Sequence, residues 1–168
     1  MTAAVRPDGY SSTQIMLHWS IATLVVFQFF LNEGIGMAWR ATARGEAISD
    51  ELAEAANVHV TIGLVILALS AWRLFLRFTR GVPAPHANEP SLLRKLAMAA
   101  HHSLYALIVL TPLSGAATWF FVSELASVVH AVSRALLFIV ALLHIVGGLV
   151  QHFVFRTDAL PRILMTKD

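Results

Sequence analysis

Four apolar stretches dominate this chain, at residues 13–37, 58–78, 96–122 and 129–155. Each is long enough to cross a bilayer, whose hydrocarbon core takes about 20 residues of helix. Lipid offers backbone N–H and C=O groups no partner, so only helices and closed barrels span it. None of the four stretches alternates with the period of two that a barrel strand requires. The pattern predicts an all-α membrane protein: one domain over residues 1–168, built as a four-transmembrane-helix bundle. Composition agrees, with 57% hydrophobic and 13% charged residues and a mean hydropathy of +0.69, unlike a soluble domain. Ser12 or Thr13 is placed to cap the first helix, and Pro112 falls inside the third, where a membrane helix tolerates a kink. No small-residue cleavage pattern closes the first stretch, which is therefore expected to stay as a membrane helix rather than act as a signal peptide.

Lys and Arg set the orientation. Arg6, Arg73, Arg77, Arg80, Arg94, Lys95, Arg156, Arg162 and Lys167 fall on one side, against Arg40, Arg44 and Arg134 on the other. Both termini and the Pro-rich linker "TRGVPAPHANEPS" are thus expected to face the cytoplasm. The first external loop, "ATARGEAISDELAEAAN", carries most of the acid. A formal net charge of only +2 gives no support to nucleic acid as a partner.

The chain has no cysteine. Disulfides, thiolate metal sites, iron–sulfur clusters and covalent c-type haem attachment are therefore excluded. Eight histidines in so apolar a sequence are the unusual feature. His18 lies early in the first helix, His59 opens the second, His101 and His102 lie near the start of the third, and His130 opens the fourth. His144 and His152 follow further along the fourth helix, and His86 lies in the Pro-rich linker. His130 and His144 are fourteen positions apart, a rise of about 21 Å and nearly four whole turns, so they project from one face at two depths. His59 matches the depth of His130. His18 matches His144, or by depth alone His152. Two His–metal–His sandwiches, one per leaflet, follow from this, and haem b is the natural occupant. His86 and His102 are read as packing or solvated residues. His101 and His152 are open to three roles: spare ligand, propionate partner or proton carrier.

Other residues fit around such cofactors. Gly63, Gly115, Gly147 and Gly148 leave helix surfaces flat enough for a macrocycle, or serve close helix packing. Arg73 and Arg77, one turn apart, suit haem propionates, a quinone headgroup or simple anchoring at the cytoplasmic face. Arg134, one turn inside the fourth helix on the His130 side, suits a propionate of the external haem. Trp19, Trp39, Trp72 and Trp119 are expected in the aromatic belts of the two interfaces.

The stretches "YSSTQIMLHW", "NVHVTIGL" followed by "WRLFLR", "HHSLYALIVLTPLSG" and "HAVSRALLFIVALLHIVGGLVQHF" followed by "LPRIL" together resemble the bacterial cytochrome b561 family, over residues 10–165. That family is related to the b-type cytochrome subunits of nickel hydrogenases and formate dehydrogenases. The resemblance implies two b haems in four helices. It implies His18, His59, His130 and His144 as the iron ligands, paired His18 with His144 and His59 with His130. It implies that His101 and His152 are not axial ligands.

Some members of the resembled family oxidise superoxide outside the membrane and reduce ubiquinone within it. The expected function is single-electron transfer across the bacterial inner membrane, as a superoxide:quinone type of oxidoreductase, with Arg40, Arg44 and Arg134 drawing the anion. The alternative is a quinol-linked relay subunit for a periplasmic redox protein, alone or in an oligomer. The short loop "FVSELASV" departs from the family pattern: it carries Glu124 rather than a basic residue and is shorter than the loop that roofs the external site in relatives. A non-redox reading, a metal transporter with a His-lined pore, predicts a colourless protein.

Overall fold

A computed structural model of the chain describes residues 7, 9–30, 34–84 and 91–165. Arg6, His86 and Lys167 lie outside the described residues, as does part of the Pro-rich linker. The protein is all-helical among the described residues, with α1 Ser12–Phe30, α2 Ile35–Ala43, α3 Asp50–Arg80, α4 Ser91–Phe121, α5 Glu124–Phe153 and α6 Ala159–Leu164. Four of these, α1, α3, α4 and α5, are long and apolar enough to cross a membrane.

The helix boundaries differ from the hydropathy pattern in instructive ways. The first apolar stretch is not one helix to residue 37. Its described part ends at Phe30, and Gly34, with φ of 85°, precedes the separate short helix α2. A left-handed φ is open to glycine at no steric cost, and Gly34 directly follows the polar Asn32 and Glu33 in the sequence. The cap of α1 is Ser11 rather than Ser12 or Thr13. Its Oγ accepts from the Gln14 N–H at 3.3 Å, and its own N–H donates to Gln14 Oε1 at 3.0 Å. This is a reciprocal capping box, in which two otherwise orphaned donors satisfy each other's partners.

Helix α3 begins well before the apolar run. Ser49 Oγ accepts from the Leu52 N–H at 3.3 Å, and Asp50 and Glu51 lie in the first turn, where negative charge meets the positive end of the helix dipole. Part of the expected acidic loop is therefore helix. At 31 residues, α3 is about 46 Å long and extends beyond the hydrocarbon. Helix α4 runs uninterrupted through Pro112. Only Val122 and Ser123 separate α4 from α5. Val122 adopts φ of 49°, and Ser123 Oγ caps α5 by accepting from the Ala126 N–H at 3.2 Å.

This tight turn makes α4 and α5 an antiparallel hairpin, the most extensive helix pair in the bundle. Helix α3 packs on α4 and α1 on α3, whereas α1 meets α5 through ring contacts such as Phe29 with Phe138, 5.2 Å apart. The buried apolar core is correspondingly small, with Leu17, Ile21, Ile66, Leu76 and Leu137 as its large members. Large apolar side chains such as Phe30, Phe78 and Phe121 face outward, as a lipid-solvated surface permits.

Candidate functional site

The bundle brings histidines together at both ends. At the end that carries α2, His59 of α3 and His130 of α5 face each other with ring centres 6.3 Å apart and planes at 84°. At the opposite end, His18 of α1 and His144 of α5 face each other at 6.4 Å and 72°. An imidazole nitrogen binds a metal at about 2 Å, and each ring centre lies ~1 Å behind its nitrogen, so two imidazoles on one metal have centres roughly 6 Å apart. Both pairs have that spacing.

The donor set points to a macrocyclic cofactor. Among the described residues, no group of three or more His, Cys, Asp or Glu gathers to hold a bare metal ion. Two histidines per site suffice when a porphyrin supplies the remaining ligands. Helices α1 and α5, which carry one pair, meet through ring contacts, His18 with His144 and Phe29 with Phe138. Around the other pair lies a partly open cleft, which Gly63, Gly115, Trp39 and Arg134 line together with the two histidines. The residues present therefore fit haem.

Helix α4 contributes no ring to the His59–His130 pair, yet it shapes one of its members. The Thr111 carbonyl lies 2.8 Å from His130 Nδ1. A carbonyl can only accept, so Nδ1 carries the proton and Nε2 keeps its lone pair for a metal. Gly115 leaves the space that the His130 ring fills: a Cβ there would lie 2.9 Å from Cε1 and 3.0 Å from Nδ1. On the other side of the pair, Gln28 Nε2 donates to the His59 backbone carbonyl at 2.8 Å. Gln28 and Thr111 were not singled out in the sequence, although a lone glutamine within "TLVVFQFF" is a visible signal.

Trp39, assigned by sequence to an interfacial belt, lines this cavity, and its indole N–H donates to the Thr118 carbonyl at 3.3 Å. The bond ties α2 to the end of α4. With Ile35, it makes α2 the cover of the cavity, a place left open by the short α4–α5 turn. Arg134 lines the same cavity, and its charge acts on both His59 and His130. Arg44 is instead engaged with Glu46 through contacts of 2.6 and 2.8 Å.

At the opposite end, His101 of α4 packs edge-on against His144 with centres 5.1 Å apart, closer than two histidines on opposite sides of one metal would stand. His152 is turned away from the pair: its ring packs on Phe153, and its Nδ1 lies 3.4 Å from the Thr157 carbonyl. Arg73 Nη1 donates to the Gln14 carbonyl at 2.6 Å, and its charge also acts on His18, His101 and His144. Arg77 lies 5.0 Å over the Tyr105 ring, a cation–π contact. Trp19 donates from its indole to the Ile163 carbonyl at 2.9 Å, and Arg162 donates to the Ala84 carbonyl at 2.8 Å. These two bonds fold the segment carrying α6 over this end of the bundle.

The family model described as prokaryotic cytochrome b561 matches residues 9–165. The chain is 31% identical to cytochrome b562 of Cereibacter sphaeroides over 163 residues, which cover 95% of this chain and 97% of that protein. The protein is a multi-pass bacterial membrane protein of the prokaryotic cytochrome b561 family, whose members are haem-b cytochromes of electron transfer.

Proposed function

We propose that this cytochrome holds two b haems, one between His59 and His130 and one between His18 and His144, and moves electrons from external superoxide to ubiquinone. The observation that carries this reading is the pair of matched histidine couples, 6.3 and 6.4 Å apart, at opposite ends of one bundle. Haem b supplies one-electron chemistry, and an iron with histidine on both faces keeps no open position for oxygen.

The protein's own residues define the two ends. By the distribution of Lys and Arg, the end with α2 faces outward and both termini face the cytoplasm of a bacterial inner membrane. Arg134 places a cation in the outward cavity, where a low-dielectric wall focuses its attraction for a small anion such as superoxide. Helix α2, anchored by Trp39, screens that cavity from bulk water. At the inner end Arg73 and Arg77 supply positive charge for propionates or a quinone headgroup, and His101 and His152 are the candidate proton carriers. The net reaction oxidises two superoxide anions to dioxygen and reduces one ubiquinone, with two protons, to ubiquinol.

Rapid mixing of the purified, oxidised protein with superoxide, with the visible haem bands recorded, tests this. Fast reduction that passes on to added ubiquinone is the expected result. A bis-histidine spectrum that superoxide leaves oxidised would replace it with the relay role for a periplasmic redox protein.

A further inference from the structure

The two histidines at the α2 end are held in different ways. His130 Nδ1 donates to the Thr111 carbonyl at 2.8 Å, while the one proton of Ser114 Oγ is shared between the Leu110 carbonyl at 2.8 Å and that same Thr111 carbonyl at 2.9 Å. Thr111 and Ser114 are both buried. His59 Nδ1 is buried as well and has no hydrogen-bond partner among the described residues. Gly115 lies one turn beyond Thr111, and its missing side chain is what admits the His130 ring: a Cβ would press to 2.9 Å on Cε1, a distance at which one of the two must move. Pro112 sits between them and lacks the N–H that would close the helical ladder at that point.

We propose that the segment of α4 from Thr111 to Gly115 is a positioning element for His130, and that it sets the redox potential of the external haem separately from the internal one. The inference rests on His130 being an iron ligand. A hydrogen bond from Nδ1 to a carbonyl makes the imidazole a more basic ligand and fixes its ring orientation. A more basic ligand favours the oxidised iron, so this bond lowers the potential. Only one side of the external pair has such a bond, so the tuning comes through α4. Ser114 moderates it, because its hydroxyl shares the acceptor. Gly115 is a positioning residue: it touches the ligand ring and holds it within reach of the Thr111 carbonyl.

Two substitutions move this bond in opposite directions. Gly115→Ala pushes the ring away from the Thr111 carbonyl, and Ser114→Ala removes the hydroxyl that competes with His130 for that carbonyl. The test is a redox titration of the purified holoprotein, with electron paramagnetic resonance of its oxidised low-spin haems. In Gly115→Ala, one haem is expected to rise in potential and shift in g-value while the other matches the wild type. In Ser114→Ala, the same haem is expected to fall in potential. Should Gly115→Ala not fold, Ser114→Ala carries the test, since it removes only a hydroxyl. Two unshifted haems in a folded variant would overturn the inference, as would equal shifts in both. A His130→Ala variant that keeps both haems would instead overturn the ligand assignment itself, and the inference with it.

Discussion

The rings of His18 and His144 stand 6.4 Å apart, a spacing that admits one metal ion between them. His101 lies only 5.1 Å from the same His144 ring, and His152 turns toward Thr157. On the proposed pairing, spacing sets His101 apart from the ligands, and ring direction sets His152 apart. Replacing His18 or His144 with Ala is expected to halve the haem bound per chain. Replacing His101 or His152 with Ala is expected to leave it unchanged, and His152→Ala to slow quinone reduction. A pyridine haemochrome assay of each purified variant reads the ratio directly. A haem lost with His152 would reassign the inner ligand.

Arg134 lines the outward cavity beside both histidines of the external pair. An attracting charge acts mainly on encounter rate and is screened by salt. Arg134→Gln is expected to slow haem reduction by superoxide about 10-fold at low ionic strength and to flatten its salt dependence. Stopped-flow rates over a series of salt concentrations check this. An unchanged salt slope would place anion entry elsewhere.

Gln14 is 4% exposed and, beyond the N–H it donates to Ser11 Oγ, makes three further ties. Its Oε1 accepts from the Ser11 N–H, its Nε2 donates to the Gly81 carbonyl at 3.1 Å, and its carbonyl accepts from Arg73. A leucine would fill the space but strand the Ser11 N–H and the Gly81 carbonyl, at about 1–3 kcal/mol for each buried group left unpaired. Gln14→Leu is therefore expected to lower the melting temperature in detergent. Circular dichroism during heating measures it, and an unaltered midpoint would mean that water replaces both bonds.

Tyr10, half-buried just before α1, has its phenol pKa raised above the usual 10.0, first by burial and then by Tyr105, against the opposing charges of Arg73, Arg77 and Arg162. A raised folded-state pKa contributes stability that is complete below the unfolded value and is lost as pH climbs toward the folded one. Stability is expected to decline above about pH 10, and more steeply than in Tyr10→Phe, which has no phenol to ionise. Melting curves from pH 9 to 11 compare the two, and parallel curves would show that Tyr10 ionises as freely folded as unfolded.

Hydropathy determined much of this protein. Four spans, their order, the histidines at two depths and the basic character of one end are all local properties, since the bilayer selects apolar runs of a given length. The same measure overlooked what lies outside the hydrocarbon. The polar first turns of α3 form because Ser49 caps them and Asp50 and Glu51 complement the dipole, and hydropathy is blind to both effects. It also merged α1 with α2, because the apolar run resumes at Ile35 past Asn32, Glu33 and Gly34, and an average over the stretch hides both this polar break and the left-handed backbone of Gly34. Depth along a helix left His144 and His152 as equal partners for His18. Only the rotation of α5 about its axis and the departure of the chain toward α6 bring one ring to His18 and aim the other at Thr157. In the sequence Gly115 and Pro112 were a small residue and a kink. The packing of α4 against α5 decides that one seats the His130 ring and that the neighbouring Thr111 carbonyl takes its proton, because ring contacts depend on how two helices face each other, which no single segment encodes.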